Sequence, residues 1–360
     1  MTERVDVLVI GAGQAGLAMG RELAARGLRF AIVDGAPAIG HSWRTRWDSL
    51  TLFTPARYSA LPGLPFPGDP ERYPGKDDVA DYLEAYARRF ELPVRLSEPV
   101  YSLRRQGEEW LAITSRGEWR AAQVVVATGP FQRPARPALA DRLGAGVTQL
   151  HSADYRRPHD VAGEAVAVVG GGNSGVQIAA ELAASGRRVS LALGSAGPVL
   201  PQRLLGRSLF WWLERTGLMG VSVETRFGRR AAGQNPLIGE GPRAVARRLG
   251  VRPIARAVGA DGDTLVTAAG ERLVVDAVVW ATGFHPDYAW IDAPVFDEAG
   301  RPVHRRGVTA EPGLYFLGLP WQHTRGSALI GWVGADARYC AEAVSAYAPV
   351  SPGSKLLATR

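Results

Sequence analysis

Val5-Asp6-Val7-Leu8-Val9-Ile10-Gly11-Ala12-Gly13-Gln14-Ala15-Gly16 decides how the rest of the chain is read. A β-branched run enters a glycine turn, a stretch with helical spacing follows, and a second apolar run ends at Val33-Asp34. Strand, glycine turn, helix and strand is the setting a dinucleotide-binding unit requires. The three glycines serve different ends. Gly11 makes the tight turn, Gly13 lets backbone approach a pyrophosphate, and Gly16 lets helix and strand pack closely. Free N–H groups at the helix start then hold the anion, so Gln14 and Ala15 join the glycines as cofactor-binding candidates.

The pattern returns. Laying residues 5–34 over 164–193 at a constant offset of 159 brings Gly11, Gly13 and Gly16 onto Gly170, Gly172 and Gly175. Asn173 and Ser174 take the places of Gln14 and Ala15. One such motif is weak evidence of a nucleotide site, whereas two in register predict two sites. The copies differ at the end of the second strand. Asp34 stands where a carboxylate accepts hydrogen bonds from ribose hydroxyls; the matching residue is Leu193, followed by Gly194, which leaves no carboxylate to repel a 2′-phosphate. NADPH is thereby permitted and NADH left open. Arg187, Arg188 and Arg203 are candidate phosphate partners that read equally well as surface arginines. Val124–Gly129 and Val278–Gly283 form a second repeat, each a buried strand running into a small turn, which nominates Thr128, Gly129, Thr282 and Gly283.

Composition narrows the class. The chain has 360 residues, 46% hydrophobic and 21% charged, enough for two domains with real cores. Its net charge of +7 is almost wholly arginine, spread as short pairs without interleaved aromatics, which argues for phosphate ligands over nucleic acid. Cys340 is the only cysteine, so an internal disulfide, a dithiol redox pair and a thiolate metal cluster are excluded, and a reducing cytoplasm fits. No apolar run approaches the roughly 18 to 20 residues of a membrane span. The first 20 residues read as fold, because Glu3, Asp6 and three glycines spoil a signal peptide. Paired catalytic carboxylates, a nucleophile triad and a metal-ligand cluster do not appear.

With these motifs in place the sequence resembles the flavin-containing monooxygenases, two-dinucleotide flavoproteins that include the plant YUCCA-like group and bacterial relatives. The resemblance covers nearly the whole chain. It rests on the two glycine motifs, on Ser42-Trp43 followed by Leu50-Thr51-Leu52-Phe53-Thr54-Pro55, on Ala281-Thr282-Gly283-Phe284, and on Gly313-Leu314-Tyr315-Phe316-Leu317-Gly318. The family fingerprint around His151 and Tyr155 survives only in its second half, with Ala145 and Val147 where Phe and Gly are expected. Gly194 replaces an arginine of YUCCA-like members.

The resemblance implies an α/β fold of two Rossmann-like domains. The NAD(P)H-binding domain, 154–284, would be inserted in a discontinuous FAD-binding domain, 1–153 and 285–360. It implies Ser42, Trp43 and Thr54 beside the flavin, with Gln322 and Ser327 from the C-terminal segment, whose loop leads into a helix ending near Tyr347. His323 and Arg325 are the catalytic candidates; His151 and His323 read equally as structural. The implied activity is a single-component, FAD-dependent monooxygenase. NADPH, or NADH, would reduce the flavin, and a flavin C4a-(hydro)peroxide would pass one oxygen atom from O₂ to a small organic substrate. S- or N-oxygenation, Baeyer–Villiger insertion and oxidative decarboxylation all remain open, as does a homo-oligomer. A reductase or oxidase passing electrons to a carrier or to O₂ is the alternative, and a nucleotide-binding redox sensor is a third. Leu204–Leu218 reads as interdomain core or as the cap of a lipophilic channel.

Overall fold

The computed structural model describes residues 2–194, 197–234 and 236–347. Two sheets carry the chain, each grown from one glycine-turn unit. The first begins with β1 (Thr2–Ile10), α1 (Gln14–Ala24) and β2 (Phe30–Val33). α2 (Lys76–Arg89), β3 (Val94–Arg95) and a meander of β4 (Val100–Gln106), β5 (Glu109–Thr114) and β6 (Gly117–Val126) follow. β1 pairs in parallel with β2 and β6. Val7 and Val9 face one core and Leu8 and Ile10 the other, which is why β1 reads as an unbroken apolar run.

The chain crosses to the second sheet through β7 (Arg133–Pro134). That sheet is built from β8 (Thr148–His151), β9 (Ala165–Val169), α3 (Asn173–Ala184), β10 (Arg188–Leu193), an excursion containing α4 (Leu209–Arg215), β11 (Arg252–Ala255) and β12 (Ala277–Trp280). Its strands are all parallel, in the order β11-β10-β9-β12-β8. β8 belongs here because its residues pair with β12 from Ala277↔Thr148 to Trp280↔His151. Residues 148–151 therefore sit with the second sheet, ahead of the boundary at 153 that the sequence suggested. The return crossing is β13 (Phe284–His285), antiparallel to β7.

β14 (Leu314–Phe316) then re-enters the first sheet. β6 accepts it by changing partners along its length: residues 117–121 pair antiparallel with β5, and Val124–Val126 pair in parallel with β14. α5 (Val333–Ala346) closes the domain, burying Ala337, Cys340, Ala341 and Val344 in the core that α1 shares. No helix of the described residues is long and apolar enough to cross a membrane.

Candidate active site

The two glycine loops are near copies in space. Gly11 has φ +108° and Gly170 φ +127°; a Cβ on Gly11 would lie 2.6 Å from the Ala127 carbonyl oxygen and one on Gly170 2.2 Å from that of Ala281. These carbonyls belong to the strand ends leading into Thr128-Gly129 and Thr282-Gly283, so each turn must slip beneath its neighbouring strand. A Cβ on Gly16 would stand 1.8 Å from the Gly11 carbonyl oxygen, and one on Gly175 1.9 Å from that of Gly170. Helix and turn touch backbone to backbone, and only glycine permits it.

Gly13 and Gly172 are different. A Cβ on either would meet no protein atom within 4 Å. Nothing in the protein's own packing requires glycine there, as expected where a ligand must approach the backbone. Each of these residues caps its helix without a side-chain hydrogen bond, and neither first turn carries an acidic residue. The positive helix ends and their free N–H groups thus fit a pyrophosphate at both loops.

Gln14 and Asn173 occupy the same place in the two copies and play the same role. Gln14 donates from Nε2 to the Ala328 carbonyl at 2.8 Å, and Asn173 accepts at Oδ1 from the Ile238 amide at 3.0 Å. Each ties its helix start to a distant loop. Ala15 is buried against Gly318, where an added Cβ would come within 2.8 Å of the Ala15 Cβ. Asp34 accepts from the amides of Ala12 (2.6 Å) and Ala36 (2.8 Å), which fixes its carboxylate over the first turn. Over the second turn lies the Leu193 side chain, so close that a Cβ on Gly171 would be 2.8 Å from its Cδ2.

The remaining candidates lie in the loops around the two units. Trp43 is half-buried against the first core, Ser42 is exposed, and Thr54 is buried with its hydroxyl 2.9 Å from that of Ser59. Gln132 donates to the Thr128 hydroxyl and the Gly129 carbonyl, and Thr282 donates to the Ala135 carbonyl. Gln322 and Ser327, expected at the cofactor, are buried in their own loop. Gln322 donates to the Phe316 carbonyl and accepts from the Leu319 amide, while the Ser327 hydroxyl accepts from the amides of His323 and Thr324. Arg203 donates to the Gly206 carbonyl and lies 3.9 Å from Glu71, turned toward the first domain.

His151 resolves as structural. Its Nδ1 accepts from the Ala153 amide at 3.1 Å, so the proton sits on Nε2 and is donated to the Gly283 carbonyl at 3.0 Å. Burial holds its pKa below the ordinary histidine value. The ring also meets Phe284 edge-on, bolting β8 to the return crossing. His323 is less confined: its Nδ1 lies 3.3 Å from the Ser222 hydroxyl, and burial lowers its pKa as well. Arg325 is desolvated enough to lower its pKa, and among the described residues it makes no ion pair.

Sequence reading missed two arginines. Arg46 lies over the Phe284 and Phe131 rings at 5.1 and 5.9 Å, its pKa lowered by burial and by Arg156. Arg256 follows β11, where Leu193 pairs with Ala255, and its Nε would be 3.4 Å from a Cβ on Gly194. Neither makes an ion pair among the described residues. Arg256 could have been found only by knowing which strand neighbours β10.

Between the two units, Phe53 and Tyr58 of the first meet Phe210 of the excursion and Trp332 of the C-terminal segment. Phe210 stacks on Phe53 with centroids 5.9 Å apart. Beside this cluster lies a cavity of about 430 Å³ lined by Thr51, Phe53, Asn173, Gln177, Gln202 and Ile238. Both halves of the molecule therefore contribute walls to one cavity, which runs along the flank of α3 from Asn173 to Ala184.

Residues 8–197 match the pyridine nucleotide-disulphide oxidoreductase family. The chain belongs to that family, in its flavin-containing monooxygenase branch. It is 47% identical to the uncharacterized oxidoreductase CzcO-like of Geobacillus kaustophilus, across 94% of this chain and 98% of that protein. With indole-3-pyruvate monooxygenase YUCCA4 of Oryza sativa subsp. japonica it shares 29% identity over 88% of this chain and 83% of the relative. Among solved structures, a flavin-containing monooxygenase from Stenotrophomonas maltophilia superposes with a TM-score of 0.80 at 30% identity, covering 96% and 99% of the two chains. The internal dithiol pair that the family's name suggests has no counterpart here, since the sequence's one cysteine, Cys340, is fully buried on the inner face of α5.

Proposed function

We propose that this family member is an FAD- and NADPH-dependent monooxygenase acting on a small organic substrate. The observation that carries the proposal is the pair of loops with matching backbone geometry, one overhung by a carboxylate and the other by a leucine. FAD belongs on the first loop, where Asp34 is held ready for ribose hydroxyls, and NADPH on the second. When bound, FAD would accept hydride from NADPH and activate O₂. The chain's own residues bind and orient: the uncapped starts of α1 and α3 hold pyrophosphates, and Phe53, Phe210 and Trp332 supply an apolar wall that excludes water.

Arg256 supports NADPH over NADH. A guanidinium lying along Gly194 is placed for a 2′-phosphate, and Leu193 offers it no repulsion. The missing arginine at 194 is thus replaced from the neighbouring strand. The domains we assign accordingly run from β8 through β12 for NADPH, with the flanking segments forming the FAD domain.

The test is anaerobic reduction of the purified protein by NADPH and by NADH, followed by mixing with oxygenated buffer containing sulfide or ketone acceptors. Oxygenated product approaching the NADPH consumed is expected. Hydrogen peroxide in full stoichiometry with every acceptor would overturn the proposal in favour of a reductase or oxidase.

A further inference from the structure

The excursion after β10 carries a feature the nucleotide reading does not use. Arg203–Leu204 and Arg207–Ser208 form an antiparallel hairpin whose tip is Leu205-Gly206. Both tip residues have positive φ, 49° at Leu205 and 74° at Gly206. Two-residue turns of this kind favour Asn, Asp or Gly at the first position, and a bulky hydrocarbon side chain is disfavoured there. Yet Leu205 is 82% exposed and Leu204 45%. The backbone is strained to hold a leucine out in water, which internal packing does not explain.

What surrounds the tip points to its partner. Trp211 and Trp212 meet edge to face at 4.7 Å, Trp212 Nε1 donates to the Leu204 carbonyl at 2.9 Å, and the Arg207 guanidinium lies 5.6 Å from the Trp211 ring centroid. Residues 199–230 contain six arginines against Glu214 and Glu224, with Arg203 turned toward Glu71 of the first domain. Projecting leucines, amphipathic tryptophans packed against their hairpin and Arg207 beside them match the hydrocarbon, interfacial and anionic headgroup layers of a bilayer. We propose that this hairpin docks the protein on an anionic phospholipid surface. The inference is independent of the reaction catalysed.

The experiment is sedimentation of the full-length holoenzyme with vesicles of phosphatidylcholine alone and of phosphatidylcholine mixed with phosphatidylglycerol. Binding to the anionic vesicles, weakened by salt, is expected. Leu205→Asn should lower the partition coefficient about tenfold or more while keeping or raising the thermal midpoint, since Asn tolerates the left-handed turn. Arg207→Gln should lower it about fivefold on anionic vesicles only. Failure of the wild type to sediment with anionic vesicles, or equal sedimentation of Leu205→Asn, would overturn the proposal. So would a lipid-free dimer that Leu205→Asn abolishes, because the tip would then be covered by a second copy.

Discussion

The loops at Gly11–Gly16 and Gly170–Gly175 share a backbone and part company in what overhangs it. In the first, Asp34 accepts from the Ala12 amide; in the second, Leu193 lies over Gly171, the residue matching Ala12. A polar lock tolerates alanine beneath it, whereas the apolar cover packs down on glycine, where a Cβ would push the Leu193 side chain aside. Each exchange is consistent within its own copy, and the pair changes together. On the proposed assignment, one fold would hold two related cofactors and distinguish them by two residues per loop.

The likeness of the two loops is broken most violently by removing what they share. Gly16→Ala and Gly175→Ala each drive a Cβ to within 2 Å of a carbonyl oxygen. Each should cost about 3 kcal/mol or more in chemical denaturation, with cofactor binding lost alongside stability. Equal stability to wild type would mean that helix and turn do not touch as described.

A smaller effect sharpens the difference between the overhangs. Asp34→Ala strips partners from two backbone amides, about 1–3 kcal/mol for each left buried, and should weaken FAD retention measured by flavin release on dilution. In the second copy, Gly171→Ala combined with Leu193→Asp recreates the first loop. NADH should gain on NADPH by about tenfold or more in equilibrium binding, through repulsion of the 2′-phosphate. Unchanged relative affinity would place the ribose elsewhere. Arg256→Gln should weaken NADP⁺ and 2′,5′-ADP by about tenfold while leaving NAD⁺ unaffected; parallel losses for both nucleotides would remove Arg256 from the phosphate.

Much of this was legible in the sequence because it is local. The glycine spacings, the β-branched strands and the Asp34/Leu193 contrast lie within one supersecondary unit each. What escaped depends on contacts between distant segments. Gln14 reaching Ala328, Asn173 reaching Ile238 and Arg256 lying beside Gly194 are invisible until the strands are placed. The assignment of β8 to the second sheet turned on pairing with β12 more than a hundred residues later. Gln322 and Ser327, nominated from the family pattern, spend their side chains on backbone groups of their own tightly turned loop.

The smallest expected effect concerns the bolt between the halves. His151 is held neutral below its usual pKa, so the unfolded chain binds the extra proton and stability falls as pH drops below about 6.5. His151→Gln should flatten part of that slope below about pH 6.5 in denaturation series. A slope unchanged from wild type would assign the acid sensitivity to other groups, such as His304 and His323, which burial also keeps neutral.

The most direct test of two loops with divided labour is Gly172→Val, a change that meets no protein atom within 4 Å at its Cβ and so should leave the fold intact. Flavin content and anaerobic reduction are measured on the same sample. The expected result is a yellow protein with wild-type FAD content that dithionite reduces and NADPH does not. A colourless protein, or one that NADPH reduces at the wild-type rate, would contradict the assignment of FAD to the first loop and NADPH to the second.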